Sequence, residues 1–301
     1  MNPTFHETII TRNLTMLGLS YREEYELIKS YNEEYPTFLP WEYVLEETIP
    51  ITLMTALGAT VLSIAILGIV AMTKKGEKAT SKENLKAVYQ LTNGIVNISL
   101  CAIGAYHYVQ LPPDPYPFED LMMGRLSLVA MAGYQIGYNL WALPFGIFLV
   151  DETPAMLFHH VAVIFVAGMP GFFTIGIRYY APLFFGVIEG SSVPLALMNA
   201  FKERKSWREN YPGLYKAIRY VFAITFLYLR WYLYFQHKFN YLRLEAFCVL
   251  TAKSWLISAY FTAVFVSAAF IALLQVYWGL LIVKGLVKSL MPSKRTKKKE
   301  E

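Results

Sequence analysis

The sequence predicts an all-α fold, a polytopic transmembrane helical bundle of about seven spans. Three observations predict it. The 301 residues are 55% hydrophobic and only 16% charged, above the about 45–50% apolar share of soluble domains, a count that includes glycine. The apolar residues fall in long runs separated by short charged stretches. The basic residues crowd into alternate connections between those runs, which is how membrane topology is written. A net charge of +5 spread this way is no nucleic-acid surface, and no nucleic-acid partner is expected. The two cysteines, Cys101 and Cys248, build neither a disulfide framework nor a metal cluster, so no metal is expected.

Crossing a hydrocarbon core of about 30 Å takes about 20 apolar residues. The stretches that meet this run Thr48 to Met72, Ala87 to Leu111, Leu126 to Val150, Pro154 to Gly176, Arg178 to Phe201, Lys216 to Gln236 and Trp255 to Val283. The first follows 47 residues and exceeds a signal-peptide core, so it is expected to stay with the chain. Residues 1–47 are acidic and aromatic and read as a lumenal segment with short interfacial helices. Residues 48–72 are the first transmembrane helix. Tyr241 to Ala252 reads as a surface helix, and residues 289–301 as a basic cytosolic tail.

Lys and Arg number eighteen on one side of this plan and eight on the other. Basic residues are retained in the cytosol, which places the N-terminus in the lumen and the C-terminus in the cytosol. Two features agree. The chain ends Lys298-Lys299-Glu300-Glu301, similar to the dilysine retrieval signal of endoplasmic-reticulum membrane proteins. Asn13-Leu14-Thr15 is a glycosylation acceptor, usable only in the lumen. A second sequon, Asn97-Ile98-Ser99, falls inside a span and is expected to be inert.

Ionisable side chains inside a membrane are expensive and face the bundle interior, so function is sought there. Span 4 opens Thr153-Pro154, an N-cap with proline at the first helical position, and brings His159 and His160 into the span. Adjacent helix positions diverge by about 100°, so the two rings cannot clamp one metal. One can face a cavity as acid, base or nucleophile while the other bonds a neighbouring helix; two interhelical hydrogen bonds are the structural alternative. Span 5 places Glu189 near mid-depth on a small, polar stripe with Gly186, Ser192, Ala196 and Asn199. A buried carboxylate is paired or protonated, and Arg230, inside span 6, is the available partner. Span 2 offers Asn93, Asn97, Gly104 and Tyr108 on one stripe with His107 beside it, and span 3 offers Gln135 and Asn139. Gly133 to Gly137 and Gly186 to Gly190 are GxxxG patterns for close helix approach. Together the polar stripes suggest an enclosed chamber lined by Asn97, His107, Gln135, Asn139, Ser192 and Arg230.

The order Gly133-Tyr134…Asn139, Met156…His159-His160, Glu189-Gly190-Ser191-Ser192-Val193-Pro194, Arg230 and Trp278 resembles the TLC-domain family across residues 82–288. The resemblance implies six helices around a lipid chamber, an endoplasmic-reticulum or other internal membrane, and the histidine pair facing that chamber. The family's ceramide synthases add aspartates after the pair. Here the three aspartates Asp114, Asp120 and Asp151 all precede it, and Asn139 stands where many relatives carry an aspartate. The resemblance is therefore to the non-synthase branch, which implies binding of membrane lipid and influence on lipid composition, homeostasis or trafficking, with no cofactor. The enzymatic alternative is a sphingolipid-type acyltransferase using His159, His160 and Glu189 with acyl-CoA as co-substrate. Fatty-acid elongases are also similar in length, span number and tail, but their histidine box needs a third histidine where Met156 stands.

Overall fold

The computed structural model of the protein describes residues 20–72, 81–111, 122 and 128–290. The Asn13 sequon, Lys298 and Lys299 lie outside the described residues. Within them every regular element is helical, and the one β contact is an isolated bridge between Phe38 and Phe173. Helix α1 (Tyr21–Glu34) starts because the Ser20 side chain accepts from the Glu23 amide while Glu23 reaches back to the Ser20 N–H, a capping box. A helical turn Trp41–Tyr43 and a π-helical stretch Val44–Thr48 then lead without a break into α2 (Ile49–Met72).

Nine further α-helices follow among the described residues, and six of them shape the bundle together with α10 (Tyr234–Leu250), placed below. These are α3 (Lys82–Tyr108), α4 (Val129–Phe145), α5 (Pro154–Phe172), α7 (Ser192–Glu203), α9 (Pro212–Phe226) and α11 (Trp255–Leu290). Between them lie the short α6 (Ala181–Phe185) and α8 (Lys205–Asn210), and α10 (Tyr234–Leu250), joined to α9 through a π-helical stretch Leu227–Leu233. A π-helical turn Gly146–Val150 extends α4 and stops at Asp151, whose φ of 50° is left-handed. Thr153 occupies the N-cap position of α5 with Pro154 at the first helical position, although its hydroxyl makes no capping bond. Four stretches among the described residues are long and apolar enough to cross a membrane, namely Trp41–Val70, Pro154–Phe172, Arg178–Glu203 and Trp255–Ser289.

The helices pack in a closed order. α3 lies on α7, α7 on α9, α9 and α10 on α11, α11 on α5, α5 on α4, and α4 on α3. α2 stands outside this ring against α4 and α3. It is docked by small and hydroxyl-bearing residues, as helix contacts in lipid require. Thr48 and Thr52 donate to the carbonyls of Gly171 and Gly133, and Ser63 bonds Thr92 of α3. Gly133 and Gly137 let the α2 backbone approach, since a Cβ on Gly137 would run into the Thr52 carbonyl. The outward faces of α2 and α11 display Leu53, Met54, Leu57, Leu273 and Leu280, an apolar surface too continuous for water.

Contacts between remote segments define the two ends of the bundle. At one end Glu24 of α1 pairs with Arg243 of α10, Asn32 bonds Thr251, and Lys253 reaches the Tyr35 carbonyl. At the other, Lys82 pairs with Asp151 and Lys86 with Glu203. The reading of Tyr241 to Ala252 as a surface helix is corrected here. α10 continues the preceding helix and buries Tyr241, Leu244, Glu245 and Cys248. Its charges interrupt the apolar run in sequence but not the burial: Arg243 is neutralised by Glu24, and the Lys238 ammonium sits against the faces of Phe184, Tyr234 and Tyr241.

Candidate functional site

The fifth predicted span is not one regular helix. After a short 3₁₀ turn at Arg178–Tyr180, α6 stops at Gly186, a second 3₁₀ stretch runs Val187–Ser191, and only then does α7 begin. Gly186 lies directly on Gly104 of α3, and a Cβ on either would strike the other's backbone. The 3₁₀ turn has 3.0 residues per turn, which aligns Gly186, Glu189 and Ser192 on one face. The carbonyls freed by the break find side chains. Gln135 of α4 donates to Phe185, Cys101 of α3 to Val187, and Ser191 to Ile188. Glu189 is thereby presented from an irregular turn inside the bundle.

Arg230 sits in the π-helical stretch Leu227–Leu233, whose altered register is common at functional positions. Its Nη2 lies 2.9 Å from Glu189 Oε2, with side-chain exposures of 7% and 13%. The same nitrogen donates to Ser192 Oγ at 2.9 Å, Nε donates to Ser191 Oγ at 2.7 Å, and Ser192 donates to Glu189 Oε2 at 2.6 Å. The predicted partnership of Glu189 and Arg230 is present, closed by two serines. Ser191 was not singled out in the sequence, because Ser192 lies on the regular helical stripe and Ser191 does not; the 3₁₀ geometry brings both to the guanidinium.

The histidines divide. His160 is buried; its Nδ1 lies 2.7 Å from Asn139 Oδ1 and its Nε2 3.4 Å from the Tyr89 hydroxyl, tying α5 to α4 and α3. Asn139 in turn donates to Gln135, both backbone and side chain. His159 packs at 5.8 Å against the Trp278 ring, lies within electrostatic range of Arg230, and leaves Nδ1 buried without a hydrogen-bond partner. Further buried polar atoms lack partners nearby in the bundle. They are the side-chain amide of Gln275, one turn before Trp278, together with Trp141 Nε1 and Asn97 Oδ1. Asn97 is buried and donates to the Asn93 carbonyl, which closes it to any glycosylating enzyme. His107 is half-buried beside the Tyr106 ring.

An apolar hollow of about 630 Å³ opens toward the opposite end, lined by Phe38, Trp41, Ile136, Ile164, Phe172 and Tyr260 among others. Its volume suits a drug-sized or acyl ligand, for which sites span roughly 300–1,000 Å³. None of the sequence-predicted lining residues borders it. Ile164 and Ile136 are one helical turn from His160 and Asn139, so the hollow's inner wall adjoins the polar cluster. Among the described residues no group of His, Cys, Asp and Glu is arranged to hold a metal.

An all-helical, multi-pass membrane protein with an ion pair and two histidines enclosed among its helices is the class that fold and site define. A model of the TLC domain matches residues 60–284, and the chain belongs to the TLC-domain family. The match begins within α2, earlier than the resemblance read from the motifs. No curated protein and no solved structure matches the chain.

Proposed function

We propose that the protein binds a membrane lipid with its polar part at the His159–Glu189–Arg230 cluster and an acyl chain in the apolar hollow, and so influences lipid composition or trafficking. The observation that supports this is one juxtaposition: the bonded His160–Asn139 pair lies one helical turn from the wall of the apolar hollow, and the helices that line the hollow also carry buried polar atoms without partners, His159 Nδ1 and the Gln275 amide. A buried polar group without a partner costs about 1–3 kcal/mol, which a ligand's hydroxyls or amide would relieve. An acyl chain moving from bilayer to hollow exchanges one apolar setting for another, so selectivity rests with the polar cluster. In this reading six helices form the TLC bundle, seven cross an endoplasmic-reticulum membrane, and the end bearing α1 and Lys253 faces the lumen.

The test is lipid analysis of the purified protein, beside lipidomics of a deletion strain rescued by wild-type or by His159→Phe. An enriched lipid that the variant loses supports the reading; no enriched lipid and an unchanged profile end it. A second reading is favoured by the unpartnered nitrogen of His159, which can take the proton of an amine or hydroxyl attacking an acyl-CoA thioester and pass it to the CoA thiolate that leaves as the C–S bond breaks. Acyl transfer by purified wild-type protein that persists in His159→Phe would remove it.

A further inference from the structure

Another buried arginine stands apart from the Arg230 cluster and from the hollow. Arg204 lies at the break between α7 and α8, on the end of the bundle marked by Lys82–Asp151 and Lys86–Glu203. It is 2% exposed, yet its Nε and Nη2 are buried with no hydrogen-bond partner. The guanidinium stacks at 5.3 Å over Trp207. Trp207 meets Phe201, Phe201 stacks on Tyr215, and Arg219 lies over the Tyr215 ring at 5.9 Å. This aromatic platform joins two arginines, and Lys202 lies within electrostatic range of Arg219.

Of the neighbouring acids, Glu203 pairs with Lys86 and also lies within electrostatic range of Lys202, and Glu209 pairs with Lys205. No ion pair joins Arg204, Lys202 or Arg219 to a carboxylate among the described residues. Two donors of the Arg204 guanidinium, Nε and Nη2, are thus left without an acceptor until an anion arrives. Its planar fork matches two oxygens of a phosphate. α8 buries no residue fully, and its hold on the bundle runs through Trp207, which packs on Phe201 beside Arg204.

We propose that Arg204, assisted by Lys202 and Arg219, is a binding site for a phosphate-ester anion, independent of the central cluster. Its position where an aromatic belt meets basic residues favours a lipid headgroup as the source. The test measures thermal unfolding of the full-length protein in neutral detergent with dioctanoyl phosphatidate, dioctanoylglycerol or inorganic phosphate. Phosphatidate is expected to raise the unfolding temperature saturably, dioctanoylglycerol to leave it unchanged, and Arg204→Gln to abolish the shift. A matching shift with inorganic phosphate at the same concentration assigns the site to a soluble phosphate instead of a lipid. Should Arg204→Gln fold poorly, the double variant Lys202→Gln/Arg219→Gln decides, with about tenfold weaker phosphatidate binding expected. A wild-type protein indifferent to both phosphate probes, or an undiminished response in the variants, overturns the proposal.

Discussion

Arg178 and Arg230 occupy opposite regions of the bundle, and both are buried, yet they are satisfied by different chemistry. Arg178 is wholly enclosed and donates to the carbonyls of Pro170, Phe173 and Thr174, closing the end of α5 where Ile177 turns through a left-handed φ of 46°. Arg230 spends its donors on Glu189, Ser191 and Ser192. Backbone carbonyls cannot move or change protonation, so Arg178 acts as a staple. A carboxylate and two hydroxyls can each be re-bonded by a guest, which is the property that the proposed lipid site requires of Arg230. Burial of an arginine therefore does not by itself mark function; the nature of its acceptors does.

The comparison can be broken at several points. Glu189→Ala leaves the Arg230 charge buried without its carboxylate and is expected to lower stability by about 3–5 kcal/mol, read as thermal or denaturant unfolding in detergent; the paired replacement Glu189→Leu/Arg230→Met should recover much of it. Arg178→Ala strands carbonyls at the end of α5 and should lower stability by roughly 3 kcal/mol, at about 1–3 kcal/mol per unsatisfied group, without altering which lipids co-purify. A change in bound lipid would unseat its description as a staple. The histidines sharpen the contrast further. His160→Ala removes the partner of Asn139 and should lower stability by about 1–3 kcal/mol, whereas His159→Phe keeps a ring against Trp278, orphans nothing, and should leave unfolding nearly unchanged while reducing lipid retention. The smallest effect belongs to the exposed Lys82–Asp151 pair. The hydrogen bond and charge of Lys82 hold the Asp151 carboxyl below its ordinary value, so the pair's contribution is present at neutral pH and lost as pH falls through that lowered value. Lys82→Ala should flatten this acid-side dependence and barely move the neutral unfolding temperature.

Helix content and family were legible because apolar runs and short motifs are local signals. The partner of Glu189 was legible too, since Arg230 is the basic residue left inside a span. The 3₁₀ stretch that carries Glu189 and the π-helical stretch that carries Arg230 both depart from the regular rise of about 1.5 Å per residue, so the depth of neither follows from regular helix spacing. Ser191 and Arg204 were not legible. The first is out of phase with a regular helix, and the second lies in a basic connection whose charges read as topology. The burial of Lys238 and Glu245 was hidden for the same reason, though Tyr234, Lys238, Tyr241, Glu245 and Cys248 follow a helical spacing that signals one covered face.

The interruption at Gly186 makes the placement of a single acid the joint property of three helices. Gln135 on one, Cys101 and Gly104 on a second, and the serines on the interrupted strand of chain itself moor the loosened turn. Sequence changes far apart along the chain would then converge on one outcome, a carboxyl group displaced by a fraction of its own length.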